Sequence, residues 1–306
     1  MSVIYGLDCV SPEVQECAVA IGVFDGVHWG HRSIFRQLTE IAEQKDIKST
    51  ALTFDKHPSE LLAPTRAPYY ICTLDQRIEY IELAGVDCIV VAQFSPWLAN
   101  LPKDEFITSI LVEKLKARHI IVGSNFRFGK NRDGDIRYLE SVSSEFNIGV
   151  SVVPSVVIDG GPASSTRIRE MIRRGDIEDA AKLLGRKFTL RGTVVMGRQI
   201  GRTIGFPTAN IRTEPRQLVP ARGVYAVEVN LAHTAYTGVC NIGCRPTFDA
   251  GAESIEVHLA SFQGDIYGET LDIAFCRRLR DEMVFESPES LAQQIRRDVE
   301  RASGTC

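Results

Sequence analysis

Short apolar runs alternate with amphipathic stretches through the first half of the chain. Val19–Phe24, Thr50–Phe54, Val86–Ala92, His119–Gly123 and Val150–Val153 read as buried strands. Between them, apolar residues recur every three or four positions. Ile34, Leu38 and Ile41 form one such stripe in Ser33–Gln44, and Ile78 and Ile81 another in Leu74–Ala84. That period predicts helices, with further helical stretches at Pro102–Leu115 and Tyr138–Phe146. Strands separated by helices need crossover connections. The pattern therefore predicts an α/β domain, a parallel sheet covered on both faces, with ligands beyond the carboxyl ends of its strands.

Two short helices follow, Ser165–Arg173 and Ile177–Leu184, with Gly185 placed as a helix stop. After Phe188 the pattern changes. Thr189–Val195, Gly223–Val229, Thr237–Ile242, Ser254–Leu259 and Glu269–Phe275 read as strands with glycine or proline between them. Helix returns at Ser290–Arg301. Consecutive strands without crossover helices predict a small antiparallel barrel closed by a C-terminal helix. The change of pattern divides the chain at about residue 186, into domains 1–186 and 187–306. No repeat or low-complexity linker interrupts it.

Bulk composition excludes several classes of protein. Hydrophobic residues make up 44% and the net charge is −4, which leaves no basic excess for a nucleic-acid partner. Runs such as Ile89–Ala92 are far too short to cross a bilayer, and Met1–Pro12 lacks the charged start and apolar core of a signal peptide. The eight cysteines form no CxxC pair, which predicts reduced thiols in a cytoplasmic protein and no metal bound by cysteine. Oligomeric state leaves no mark in the sequence.

The segment Gly22–His31, GVFDGVHWGH, hands a strand over to a helix. Gly26 and Gly30 allow a tight turn and close approach to a ligand. His28 and His31 are three apart, so a helix start places them on one side. A helix N-terminus favours anions, and two imidazoles there can hydrogen-bond phosphate oxygens as charge builds at phosphorus. Ser164-Ser165-Thr166-Arg167 opens another helix. Its hydroxyls and guanidinium suit phosphates, although serine and threonine also serve as plain caps. Asn125 in GSNFRFG can offer an amide, and Phe126 and Phe128 offer flat apolar surface. Asp55 and His57 in TFDKHP are either ligand contacts or turn formers.

The second dense segment is Gly197–Asn210, GRQIGRTIGFPTAN. Gly197 and Gly205 belong to a loop able to approach phosphates, and Arg202 can steady one. Thr208 and Asn210 are two apart, so on an extended chain their oxygens face one way and fit one side of a Mg²⁺ that takes its other ligands from water and ATP. In Ile255–Leu259 the apolar residues alternate, which puts Glu256 on the opposite, polar face.

These motifs carry a resemblance. HWGH and SSTRIR resemble the signatures of the nucleotidylyltransferase superfamily, whose domain is a Rossmann-like parallel sheet. GSNFRFG and TFDKHP resemble segments of bacterial FAD synthetases, and GRTIGFPTAN, NIGCRPT and DIYG resemble those of riboflavin kinases. In motif content and domain order, the chain is similar to the family of bacterial bifunctional riboflavin kinase/FMN adenylyltransferases. The resemblance implies that the C-terminal domain phosphorylates riboflavin to FMN with ATP, and that the N-terminal domain adenylylates FMN to FAD with release of pyrophosphate. It implies Glu256 as the base for the riboflavin 5′-hydroxyl and Thr208 and Asn210 at Mg²⁺. ATP contacts would come from Gly22, Phe24, Asp25, Gly26, Ser164–Arg167, Gly197, Arg202 and Gly205, and flavin contacts from Asn125, Phe126, Phe128 and Arg280. Three positions depart from the usual pattern: Val23 for Asn, Asn125 for Asp, and Val284 for Lys. A kinase with an inactive N-terminal domain would not need His28 and His31, and a non-catalytic flavin sensor would not need Glu256. All three are present.

Overall fold

A computed structural model describes residues 1–10, 16–197, 201, 205–231, 234–244 and 253–305, with Cys244 and Glu253 known by backbone alone. Arg202, and Arg245–Thr247 of the NIGCRPT segment, lie outside the described residues. The chain forms two compact units. One comprises Met1–Pro68 and Leu74–Ser164, the other Tyr69–Thr73 and Ser165–Cys306.

The first unit is built on six parallel strands: β1 (Ser2–Tyr5), β2 (Cys17–Ile21), β3 (Lys48–Phe54), β4 (Cys88–Ala92), β5 (Ala117–Gly123) and β6 (Gly149–Val153). Their order across the sheet is β1-β4-β3-β2-β5-β6. The alternation of side chains explains the two cores. Val19, Ile21, Leu52 and Ile120 face one side with Ile107, Ile110 and Leu139. Ala18, Ala20, Ala51 and Ile121 face the other with Phe35, Leu38, Ile78 and Ile81. Burial on both faces is why these strands read as continuous apolar runs, each fully buried large side chain contributing about 1.5–3 kcal/mol.

Three local differences from the sequence pattern have physical causes. Strand β2 ends at Ile21, because Val23 and Phe24 enter a turn. The stretch expected as a helix at Pro102–Leu115 is a helical turn, Lys103–Glu105, running into a wider π-helix, Phe106–Lys114, which buries Phe106, Ile107, Ile110 and Leu111. Strand β1 was not expected. It is a short edge strand of four residues with exposed ends, too brief to show a period.

The second unit holds helices Ser165–Arg174 and Ile177–Leu184, the latter ended by Gly185 in the left-handed conformation (φ 70°). A short two-stranded ribbon, β7 (Val157–Ile158) and β8 (Gly161–Pro162), precedes them in the chain. Six antiparallel strands then close a barrel: β9 (Phe188–Val195), β10 (Ala209–Thr213), β11 (Gly223–Leu231), β12 (Thr234–Cys244), β13 (Glu253–Leu259) and β14 (Thr270–Arg280), in the order β10-β13-β12-β11-β14-β9. Strand β10 was legible only as an extended segment around Thr208 and Asn210. Inside the barrel Phe188, Tyr225 and Phe275 pack ring against ring at 5.3–5.7 Å. Outside, Val224, Ala226, Val239 and Leu279 pack with Val299 and Ala302 of the C-terminal helix Pro288–Ser303.

Five cysteines, Cys9, Cys17, Cys72, Cys88 and Cys240, are free thiols as expected. Cys276 is not: it is disulfide-bonded. That corrects the expectation of reduced thiols throughout, since such a pairing depends on proximity in the fold and not on sequence spacing.

Candidate active sites

In the first unit the strand order reverses at β2, which lies between β3 and β5. The crevice beyond the carboxyl ends of two strands at such a switch point is where open α/β sheets bind ligands. The loops that leave β2 and β5 there are Gly22–His28 and Ser124–Phe128.

The first loop has unusual backbone geometry. Phe24, Gly26 and Val27 have φ of 52°, 82° and 37°. Glycine tolerates this, but the other two residues cost about 1–3 kcal/mol each and need support from their surroundings. Phe24 finds it against Phe35, at 4.7 Å, and His31, at 5.3 Å. Gly22 accommodates the same ring, since a Cβ there would stand 2.8 Å from Phe24 Cε1. Asp25 is buried.

His28 is the N-cap of helix Trp29–Lys45, its Nδ1 accepting from Gly30 N at 3.1 Å. A neutral ring that accepts at Nδ1 carries its proton on Nε2, so the cap sets the donor end of the imidazole. The His28 and His31 rings stack at 3.7 Å and 22°, and His28 is only 5% exposed. The expected juxtaposition of the two histidines is therefore present at a helix N-terminus.

In the neighbouring loop Asn125 is exposed and Phe126 half-buried. Phe128 is 6% exposed and packs with Phe106, Phe126 and Tyr138, so most of its surface belongs to its own core. Arg127 is engaged by Asp135 at 3.1 Å. Asp55 and His57 both take part in turns. Asp55 Oδ1 accepts from Lys56 N and Phe94 N, both at 2.8 Å, and His57 caps helix Pro58–Leu62. Ser164 is the last residue of this unit. Ser165, Thr166 and Arg167 form the first turn of helix Ser165–Arg174 in the other unit, with Thr166 exposed and the other two half-buried.

The barrel brings the second set together. Register places Glu256 opposite Asn210 on β10 and opposite Asn241 on β12. Directly opposed residues share a face, so these three polar side chains form a row across the outer wall, back to back with buried Ala209, Val257, Cys240 and Ile242. Thr208 Oγ1 donates to Glu256 Oε2 at 3.3 Å. Gly197 lies against Asn210, and a Cβ there would collide with the Asn210 amide. His258 Nδ1 donates to the Pro207 carbonyl at 2.9 Å, and Phe206 contacts the His258 ring and lies under Arg296 of the C-terminal helix. Gly205 is exposed with φ 84°. Burial pushes the Cys240 thiol up on the inner side of the wall, with the Glu256 carboxylate adding to the effect.

Arg280, expected near flavin, is held by Asp298 of the C-terminal helix, with Nε at 3.0 Å and Nη2 at 2.8 Å from Oδ2. Asp298 is 1% exposed. Asp298 and Arg77 were not singled out in the sequence, and Asn241 was noted only as the first residue of NIGCRPT. Asn241 reaches Glu256 only through register, and Asp298 reaches Arg280 only through helix docking, which leaves no local signal.

Among the described residues no group of three or more His, Cys, Asp or Glu side chains could hold a metal. The oxygens of Thr208 and Asn210, with Glu256 beside them, are hard donors and fit a cation that takes most of its ligands from phosphate and water.

Two family models match the two parts of the chain. An FAD synthetase family model matches residues 10–167, and a riboflavin kinase model matches residues 184–305. The chain is 39% identical over 303 residues to a bifunctional riboflavin kinase/FMN adenylyltransferase of Haemophilus influenzae, covering 99% of this chain and 98% of that one. It is 36% identical over 300 residues to a protein of the same name from Escherichia coli, covering 97% and 96%. A solved structure from Streptococcus pneumoniae, described as a macrolide-efflux protein, matches with a TM-score of 0.88 and 31% identity over 99% of both chains. Among the described residues here, no helix is long and apolar enough to cross a membrane. The histidine turn at the sheet's switch point and the Thr208–Glu256 pair on the barrel wall thus lie in regions matched by two separate family models, and the chain belongs to the family of bifunctional riboflavin kinase/FMN adenylyltransferases.

Proposed function

We propose that the chain makes FAD from riboflavin in two ATP-dependent steps, with the kinase chemistry on domain 187–306 and the adenylyl transfer on domain 1–186. The observation that carries this reading is the pairing of Thr208 with Glu256 in one unit and the stacked His28–His31 pair in the other.

In the kinase step Glu256 takes the proton of the riboflavin 5′-hydroxyl. The freed oxygen bonds the γ-phosphorus of ATP, and the bond to ADP breaks. Thr208 and Asn210 would hold Mg²⁺, which when bound neutralises phosphate charge. Thr208 also fixes the Glu256 carboxylate by its hydrogen bond. Gly197, Gly205 and Arg202 contact ATP. Arg280 is locked by Asp298 and borders flavin as a positioned edge.

In the adenylylation step an oxygen of the FMN phosphate attacks the α-phosphorus of a second ATP, and pyrophosphate leaves. The Nε2–H of His28, set by its cap, and His31 hydrogen-bond the phosphate oxygens as negative charge develops. Gly22, Phe24, Asp25 and Gly26 shape the turn around the nucleotide. Ser164, of the same unit, offers its hydroxyl to a distal phosphate. Asn125 and Phe126 contact the flavin, with Phe128 beneath Phe126 as support. A cytoplasmic location and the absence of a nucleic-acid partner suit the composition and the net charge of −4.

The test is a time course with purified chain, riboflavin, ATP and Mg²⁺, separating FMN from FAD, with a chelator arm. FMN followed by FAD, both lost on chelation, is the expected result. FMN without FAD even when FMN is supplied would confine activity to the barrel, and no conversion would leave only a flavin-binding role.

A further inference from the structure

Arg77 is the largest fully buried side chain among the described residues, at 1% exposure. It projects from helix Leu74–Glu82 in the first unit. Its Nη1 donates to the carbonyl of Val23 at 2.7 Å, to the carbonyl of Phe54 at 3.0 Å and to Thr53 Oγ1 at 3.2 Å. Thr53 Oγ1 in turn donates to the same Val23 carbonyl at 3.1 Å. Val23 is the residue just before left-handed Phe24, and Phe54 ends β3 just before Asp55. One guanidinium nitrogen therefore ties the carboxyl ends of β2 and β3 together beneath the histidine turn.

Two features say that this is more than packing. A fully buried cation is costly, and Arg77 carries that cost: among the described residues its Nε has no partner, no carboxylate pairs with it, and the hydrogen bonds above all run from Nη1. Its bonds go mainly to backbone carbonyls at the root of the loop. That loop holds Phe24 and Val27 in a conformation that persists only where neighbours impose it. Leucine or isoleucine would fill the same space without the burial cost, and neither could grip Val23.

We propose that Arg77 is the positioning residue for adenylyl transfer: it anchors the Val23 carbonyl and so fixes the turn that aligns His28 and His31. This rests on the reading of the histidine turn as the adenylylation site. The two histidines act as charge develops in the transition state, so loosening their support lowers kcat more than it raises KM.

The experiment uses the full chain, with riboflavin phosphorylation by the barrel unit as a fold control. Arg77→Gln is expected to lower kcat for FAD formation from FMN and ATP by about 10- to 100-fold. KM for ATP should stay within about threefold and FMN formation near the parent value. Arg77→Lys, with its charge kept but its fork lost, should recover part of kcat. Thr53→Val, a near-isosteric change, should shift kcat in the same direction by a few-fold, and serves if Arg77→Gln folds poorly. The sharpest arm is the double variant. If Arg77 acts through the histidine turn, Arg77→Gln adds little in a His28→Ala background. An unchanged kcat in both Arg77→Gln and Thr53→Val, or a full multiplicative loss in the double variant, would overturn the proposal. If His28→Ala itself leaves FAD formation intact, the failure belongs to the assignment of the site and not to Arg77.

Discussion

Thr208 Oγ1 donates to Glu256 Oε2 at 3.3 Å, joining residues 48 positions apart across the outer wall of the barrel. Register also sets Glu256 between Asn210 and Asn241. The carboxylate is thus oriented by a hydroxyl and flanked by two amides, which suits a group that must take a proton from a fixed direction.

Glu256→Gln retains the volume and an oxygen to accept from Thr208 but cannot take the proton. FMN formation should fall about 10²- to 10⁴-fold. FAD formation from supplied FMN should hold its parent rate. Separate assays of the two steps on one preparation check this, and an undiminished kinase rate would remove Glu256 from the role of base.

His28 has two duties that substitution can separate. Its Nδ1 caps helix Trp29–Lys45, and its ring stacks on His31. His28→Asn keeps a cap acceptor, whereas His28→Ala does not. Both should lower FAD formation by about 10²- to 10³-fold. Only His28→Ala should also destabilise the unit, by about 1 kcal/mol, as read by denaturant unfolding.

The Arg280–Asp298 pair should govern how firmly the C-terminal helix is held. Asp298 is 1% exposed, and its loss leaves a largely buried guanidinium unpaired. Asp298→Ala is expected to cost about 3–5 kcal/mol. Removing Asp179 from its exposed pair with Lys182 should cost no more than about 1 kcal/mol. Equal, small effects of the two changes would mean that the buried pair contributes little.

Stability should depend on pH through His119. Its half-buried ring meets Ser151 Oγ at 2.8 Å, and burial, aided by the nearby Lys45 charge, holds its pKa below the usual histidine value. The folded state thus binds the proton less readily than the unfolded chain. The contribution is fully present above the unfolded value of about 6.5 and is lost as pH falls through the folded one. Melting temperature should therefore drop as pH is lowered from 7 toward 5, and His119→Gln should flatten that part of the profile. An identical pH profile in the variant would exclude His119 as the cause.

Much of this protein was legible without a structure. The apolar runs Val19–Phe24 and His119–Gly123, with the stripes in Ser33–Gln44 and Leu74–Ala84, gave a parallel sheet, although the first strand stops at Ile21. Consecutive strands without crossover helices, Thr189–Val195 and Ser254–Leu259 among them, gave an antiparallel barrel. Helix Ile177–Leu184 and its Gly185 stop agreed to the residue. These features are local: burial of one face writes a period into the sequence, and a cap or glycine marks an end. The histidine pair was visible for the same reason, since three positions on a helix start are neighbours wherever the helix lies.

Other relationships had no local signature. The placement of β2 beside β5, which makes the crevice, follows from strand order. The row Asn210–Glu256–Asn241 follows from register, and the burial of Phe128, the bonding of Cys276 and the grip of Arg77 on Val23 follow from which surfaces meet. Each rests on contacts between distant segments, whose energies are collective sums over a packed core. Local periodicity and helix stops set most of the elements, the faces they bury and the residues equipped for phosphate chemistry. Which of those residues touch was settled in three dimensions, because pairing and packing are fixed by the whole set of burying surfaces and not by any one of them.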